Sequence, residues 1–141
     1  MLKQQIIQSN IFKGFKAEIN SAVGVVFDKS NKILIGLSND DDDRNGKWCF
    51  LGGGVDEGES PLQAAIREVY EEGGVSVTPL AISMIVHPSK PTVGFFVLKC
   101  DTDMPEMVKN EEFDEMKWIE VSKIPETMLP LNLEILKMIG K

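Results

Sequence analysis

Glu68, Glu71 and Glu72 stand three and four residues apart, a spacing that on a helix puts their side chains on one face. Close like charges repel. If the helix stops at Gly73-Gly74, the three acids also occupy its last turn, where the dipole is already negative and favours Lys or Arg. Arg67 can reach Glu71 one turn on, yet one guanidinium cannot neutralise three carboxylates. The remainder is an oxygen-donor set suited to hard cations such as Mg²⁺ or Mn²⁺. Taken alone, the three read first as a solvated acidic face. The residues upstream shift that balance. Gly52, Gly53 and Gly54 let the backbone turn tightly and expose carbonyls beside the helix, and Glu59 adds another acid just before the helix begins.

The elements that must position these residues are legible in the sequence. Ser60 as N-cap, Pro61 at the first helical position and Gln63 completing a capping box start the helix. Leu62, Ala65, Ile66 and Val69 form its apolar stripe, and Gly73-Gly74 ends it. Ser21 to Phe27 and Ile33 to Leu37 read as two core strands joined in a hairpin by Asp28 to Asn31. Ser38 to Gly46 has no apolar residue and reads as an exposed loop, followed by a brief strand over Trp48 to Leu51. Val75 to Val86, Thr92 to Lys99 and Met116 to Val121 read as further strands, the first two separated by a turn over His87 to Pro91. Leu129 to Ile139 reads as a closing helix. Strands interleaved with helices predict an α/β or α+β fold with helices covering a sheet.

A chain of 141 residues, 43% hydrophobic, is long enough for one core and too short for two ordinary ones, so residues 1–141 are expected to form one domain. The formal charge of −7 and pI near 4.7 argue against duplex nucleic acid as a partner, since gripping a phosphate backbone takes clustered Lys and Arg. An acidic protein can still handle phosphates through intervening divalent cations. Cys49 and Cys100 lie in no metal-ligand spacing and read as ordinary reduced residues. Met1 to Lys16 lacks a signal peptide's continuous apolar stretch and no run approaches membrane-spanning length, so no membrane association and a cytoplasmic location are expected.

Together these residues match a known pattern. The segment GGVDEGESPLQAAIREVYEEGGV resembles the complete Nudix box: Gly53, Glu59, Arg67-Glu68, the aliphatic Val69, Glu71-Glu72, Gly74 and Val75 at the required intervals. Average residue frequencies would produce it by chance in roughly one such chain in 10⁶ to 10⁷. The flanks are similar to the family too, with Trp48 and Phe50 before the glycines, although Leu51 stands where a proline is common. The resemblance implies a Nudix-type α/β/α sandwich with a mixed central sheet. It implies an Mg²⁺- or Mn²⁺-dependent pyrophosphohydrolase that cleaves a phosphoanhydride bond of a nucleoside diphosphate derivative. Glu68, Glu71, Glu72 and the Gly52 carbonyl would hold the metal, with Arg67 orienting the glutamates and Glu59 supporting the loop and helix.

The general base in this family usually comes from an acid well beyond the box. Here the acidic run Asn110 to Glu115 offers it; Glu112 is preferred for its position six residues before Trp118, with Glu111 and Glu115 as alternatives. Asp40 to Asp43 lacks the spacing of a calcium loop and reads as a solvated segment. Arg44 and Lys47 could steer a phosphate. Trp48, Phe50, Phe95 and Phe96 are read as core ahead of base-stacking groups, and His87 as a turn residue. Pro91 lies where some ADP-ribose pyrophosphatases carry a proline, and a (d)NTP suits the small domain equally. The rival reading is a noncatalytic nucleotide sensor on the same fold, a type that typically loses box glutamates. The resemblance also allows a homodimer.

Overall fold

The computed structural model describes residues 19–40, 44–85, 92–100 and 111–139. The expected turn of His87 to Pro91, the aspartates Asp41 to Asp43 and Asn110 lie outside them. The strands are β1 (Ile19–Phe27), β2 (Lys32–Ser38), β3 (Trp48–Cys49), β4 (Leu51–Gly54), β5 (Val77–Ile85), β6 (Thr92–Cys100) and β7 (Phe113–Glu120). Two α-helices are described, α1 (Pro61–Gly73) and α2 (Pro130–Met138), with a 3₁₀ turn at Val121–Lys123 after β7.

All seven strands join one mixed sheet, in which β1 runs parallel to β6 and the other pairs are antiparallel. Alternation along the strands sends successive side chains to opposite faces. Ala22 and Val26 of β1, Leu34 of β2, and Phe96 and Leu98 of β6 pack under Ala64, Ala65 and Val69 of α1. Val25 and Phe27, Ile33 and Ile35, and Phe95 face the other way, against Ile135 and Leu136 of α2. The result is the helix-covered sheet that the interleaved pattern predicts, in the helix–sheet–helix sandwich that the family resemblance implies. Trp48, Phe50, Phe95 and Phe96 are all buried in these two cores, and Cys49 and Cys100 are buried as well.

The expected hairpin of β1 and β2 is real only at its turn. Asp28 caps that turn, its Oδ1 accepting from the backbone of Ser30 at 2.8 Å and Lys32 at 2.9 Å, and the strands pair at Phe27 and Ile33. Beyond that point they separate. Segment 48–54 fills the widening gap, with β3 pairing β2 through Cys49 and Trp48 and β4 pairing β1 from Gly54 to Leu51. The cause is a competition for edges. β1 gives its other edge to β6 over most of its length, and β2 gives its other edge to β7, so the inner edges are free to take a third segment between them. This split carries the three glycines into the middle of the sheet.

Two further expectations are corrected. Ser38 is not exposed but 2% accessible, because it ends β2 opposite Phe113. The strand expected from Met116 begins earlier, at Phe113, whose ring packs against Gly36. Helix α1 matches its sequence closely. Gln63 N–H donates to Ser60 Oγ at 3.1 Å, Ser60 N–H donates to Gln63 Oε1 at 2.9 Å, and Gly74 closes the helix in the left-handed conformation with its N–H on the Tyr70 carbonyl. Ser60→Ala removes one capping bond and is expected to cost about 1 kcal/mol, lowering the thermal midpoint by about 3–5 °C; a shift below about 1 °C in a calorimetric melt would show that tertiary packing alone fixes the helix start.

Candidate active site

The capped start of α1 and the free end of β4 are tied together by Arg67. Its guanidinium grips Glu59 at both oxygens, Nε to Oε2 at 2.7 Å and NH2 to Oε1 at 3.0 Å. NH2 also donates to the Gly54 carbonyl at 3.1 Å, while NH1 donates to Glu68 Oε1 at 2.9 Å and Glu71 Oε2 at 3.1 Å. Glu59 Oε1 in turn accepts from the backbone of Asp56 at 3.1 Å. Bidentate pairing of this kind fixes direction as well as charge. Its effect is to hold the Glu59 carboxyl below the usual carboxylate range, chiefly through the bond from Arg67 and then the Asp56 N–H, and to bind the proton of Arg67 more firmly still. Arg67 is 27% exposed and Glu71 55%. Each partly wet pair is therefore modest in energy, and the value of the network lies in geometry: strand end, turn and helix move as one unit.

Two of the helix acids lie against the bare backbone of β4. Gly52 N–H donates to Glu72 Oε1 at 2.8 Å. No side chain fits at Gly52, since a Cβ there would run into the Ala22 carbonyl oxygen and the Val23 Cα of β1. At Gly53 a Cβ would stand 2.7 Å from the Glu68 carboxyl carbon. The two glycines thus serve close approach on different sides: Gly52 lets β1 lie against β4, and Gly53 lets the Glu68 carboxylate of α1 pack onto it.

Glu72 is only 4% exposed. Burial pushes its carboxyl up to about 9, a hydrogen bond donated by the protonated carboxyl to Glu112 adds to the shift, and the Gly52 N–H opposes it. Two carboxyls in such contact need a shared proton or a cation between them. Glu68 is also raised, by burial first, with Arg67 pulling it down and the charges of Glu71 and Glu112 pushing it up. Among the three candidates on the distal loop, the tertiary structure thus carries Glu112 to the helix acids. Glu115 is exposed opposite Leu37 in β7, and Glu111 lends its carbonyl to Asn39.

The donor chemistry fits a hard divalent ion: carboxylates held close together, one of them buried. Among the described residues, however, no three acidic, His or Cys side chains already converge on one point as a ligand set. Glu71 rests on Arg67 instead.

Beside the glycines a cleft of about 170 Å³ opens, lined by Arg44, Phe50, Gly52, Gly53, Leu129 and Asn132 among others. Arg44 is paired with Asp40 at 2.6 Å at this rim. Two asparagines that the sequence does not single out build the surroundings. Asn132 of α2 is 4% exposed and accepts the Phe50 N–H at 2.6 Å, docking α2 on the strand that enters the glycines. Asn39 bonds to the loop of Glu112. Each partner lies more than 70 residues away, so no local spacing could have revealed either.

Comparison with known proteins agrees with this architecture. The family model for the NUDIX domain matches residues 18–139. An RNA pyrophosphohydrolase of Bartonella tribocorum is 29% identical over 130 residues, 72% of this chain and 75% of that protein. An 8-oxo-dGTP diphosphatase of Proteus vulgaris is 33% identical over 87 residues, 59% of this chain and 78% of that one. Among solved structures, the MutT protein of Methanosarcina mazei superposes with a TM-score of 0.68 at 22% identity, covering 91% of this chain and 99% of its own. A bifunctional NMN adenylyltransferase/ADP ribose pyrophosphatase of Francisella tularensis superposes with a TM-score of 0.71 at 19% identity, covering 97% of this chain and 45% of its own. With the family profile spanning nearly the whole chain and the fold the same, this protein belongs to the NUDIX family and is a Nudix hydrolase.

Proposed function

We propose that this Nudix hydrolase is a divalent-metal-dependent pyrophosphohydrolase that cleaves a phosphoanhydride bond of a nucleoside diphosphate linked to a further group, either a (d)NTP or an ADP-ribose-like compound. The observation that carries the reading is the buried Glu72 carboxyl facing Glu112 beside Glu68, an arrangement that costs stability unless a positive charge joins it. Glu68, Glu71, Glu72 and the Gly52 carbonyl would hold the ion. A bound Mg²⁺ or Mn²⁺ there would screen the diphosphate, polarise the attacked phosphoryl group and acidify the nucleophilic water.

The residues of the chain do the rest. Arg67 keeps Glu68 aimed at β4 and, through Glu59 and Gly54, keeps β4 beside the helix. Glu112 is the base: it takes a proton from the attacking water at its carboxylate. The cleft between Phe50, Leu129 and Asn132 would receive the nucleoside, its apolar walls displacing water from the face of the base. A noncatalytic sensor is disfavoured because every acid of the constellation is present and two of them are held in costly burial.

The first test is a panel with Mg²⁺: 8-oxo-dGTP and a 5′-triphosphorylated RNA, suggested by the names of the two relatives, then dGTP, ADP-ribose and a dinucleoside polyphosphate. Hydrolysis of at least one, abolished by EDTA, is expected on chromatography of the products; nucleotide binding without turnover of any would establish the sensor. Glu112→Gln should lower kcat on the best substrate by about 10² to 10⁴-fold, and turnover within about threefold of the wild type would remove Glu112 from the role of base.

Burial of Glu72 also sets a pH dependence. Its carboxyl lies at about 9 in the folded chain and near the ordinary carboxylate value once unfolded, so between those two the folded state holds the extra proton and stability falls as pH rises. Thermal melts in EDTA should show the wild type less stable at pH 8 than at pH 6, and Glu72→Gln should lose less over the same interval. Added Mg²⁺ should raise the midpoint of the wild type and leave that of Glu72→Gln nearly unmoved. Equal pH slopes for the two proteins would contradict the assignment of the buried proton.

A further inference from the structure

We propose that Asn39 is the positioning residue for Glu112, holding the loop that carries it so that its carboxyl reaches Glu72; this rests on the reading of Glu112 as the base. Asn39 follows the end of β2, and its own backbone is firmly placed. Ser38, the residue before it, is buried, with its N–H on the Lys47 carbonyl at 3.0 Å and its carbonyl accepting from Gly46 at 2.9 Å. From that anchor Asn39 makes three bonds to a four-residue stretch. Its N–H donates to the Glu112 carbonyl at 3.0 Å. Its side-chain Nδ2 donates to the Glu111 carbonyl at 2.9 Å and to Asp114 Oδ1 at 3.1 Å. The residue before Glu112, Glu112 itself and the second residue after it are all pinned from one side.

The register explains why a clamp is needed here. Along β2 and β7 the pairing slips, so that Leu37 faces Glu115 while Ser38 faces Phe113. Asp114 is thus the additional residue of a bulge, which bends the strand and re-aims its neighbours. The segment carries Glu111, Glu112, Asp114 and Glu115, four acids whose mutual repulsion favours spreading into solvent. Glu112 is nevertheless turned toward a buried carboxyl. Phe113 fixes the strand on the inner side, its ring filling the space over Gly36, and Asn39 fixes it on the outer side. An amide suits this place chemically: both of its side-chain partners are acceptors, so the group must donate, and a carboxylate of the same shape would repel Asp114.

Misplacing a reacting group by about 1 Å can cost about a hundredfold in rate. Asn39→Ala and Asn39→Asp are therefore expected to lower kcat on the preferred substrate of the panel by about 10 to 100-fold, with KM within about threefold and the thermal midpoint within a few degrees of the wild type. The deciding measurement is a double-mutant cycle. If Asn39 acts through Glu112, adding Asn39→Ala to Glu112→Gln changes kcat by less than about twofold. Wild-type kcat in Asn39→Ala, or an equal loss in both backgrounds, overturns the proposal while leaving the base in place. A slow Asn39→Ala beside a fully active Glu112→Gln overturns both. A crystal structure of Asn39→Ala reads the same point without turnover: the Glu112 carboxyl should be displaced from Glu72, and a retained contact between them overturns the proposal whatever the rates.

Discussion

A buried carboxyl facing another carboxyl is unstable as an ionised pair, and the structure around Glu72 is organised by that constraint. Desolvation alone disfavours its charge, and Glu68 and Glu112 add to the field against it. The protein answers locally with one N–H, from Gly52, which is too little to keep Glu72 ionised. What remains is a carboxyl that keeps its proton well above the usual carboxylate range. Arg67 is committed elsewhere, to Glu59, Glu68, Glu71 and Gly54. Its charge is used to build the scaffold, and the Glu72 corner is left electrostatically short of positive charge.

Several backbone features follow from this arrangement. The Glu68 carboxylate can lie on the strand only because Gly53 presents no side chain there, and Gly52 lets the same strand lie close against β1. That strand must also reach the end of α1, and the separation of β1 from β2 provides the space. The wedge of 48–54 is secured from both sides: β4 pairs with β1, and Trp48 exchanges backbone bonds with Thr127 and Leu129. From the α2 side, Asn132 holds Phe50. The two hydrophobic cores on either face of the sheet thus meet at the site, and packing that stabilises the sandwich also fixes the distance from glycine to glutamate.

The site is also composed of parts with unlike exposure. Glu59, Arg67 and Glu68 are partly shielded and mutually bonded, whereas Glu71 is over half exposed and Glu112 comes from a short acidic turn tied to Asn39. Among the described residues no helix is long and apolar enough to span a membrane, which agrees with the absence of any such run in the sequence.

The sequence by itself determined α1 from cap to stop, the sharing of one face by Glu68, Glu71 and Glu72, and the family through the intervals from Gly53 to Val75. These are local matters: helix periodicity, capping bonds and glycine conformations act within a few residues, so spacing encodes them. Tertiary structure alone decided the rest. Whether β1 and β2 stay paired depends on β6 and β7 competing for their outer edges, and Ser38, polar in a polar run, is buried because β7 lies beside it. The reach of Glu112 to Glu72 across 40 positions, and the grip of Asn39 and Asn132 on partners more than 70 positions away, leave no periodic trace. Contacts made across the sheet depend on register and strand order, which are properties of the whole chain and not of any segment within it.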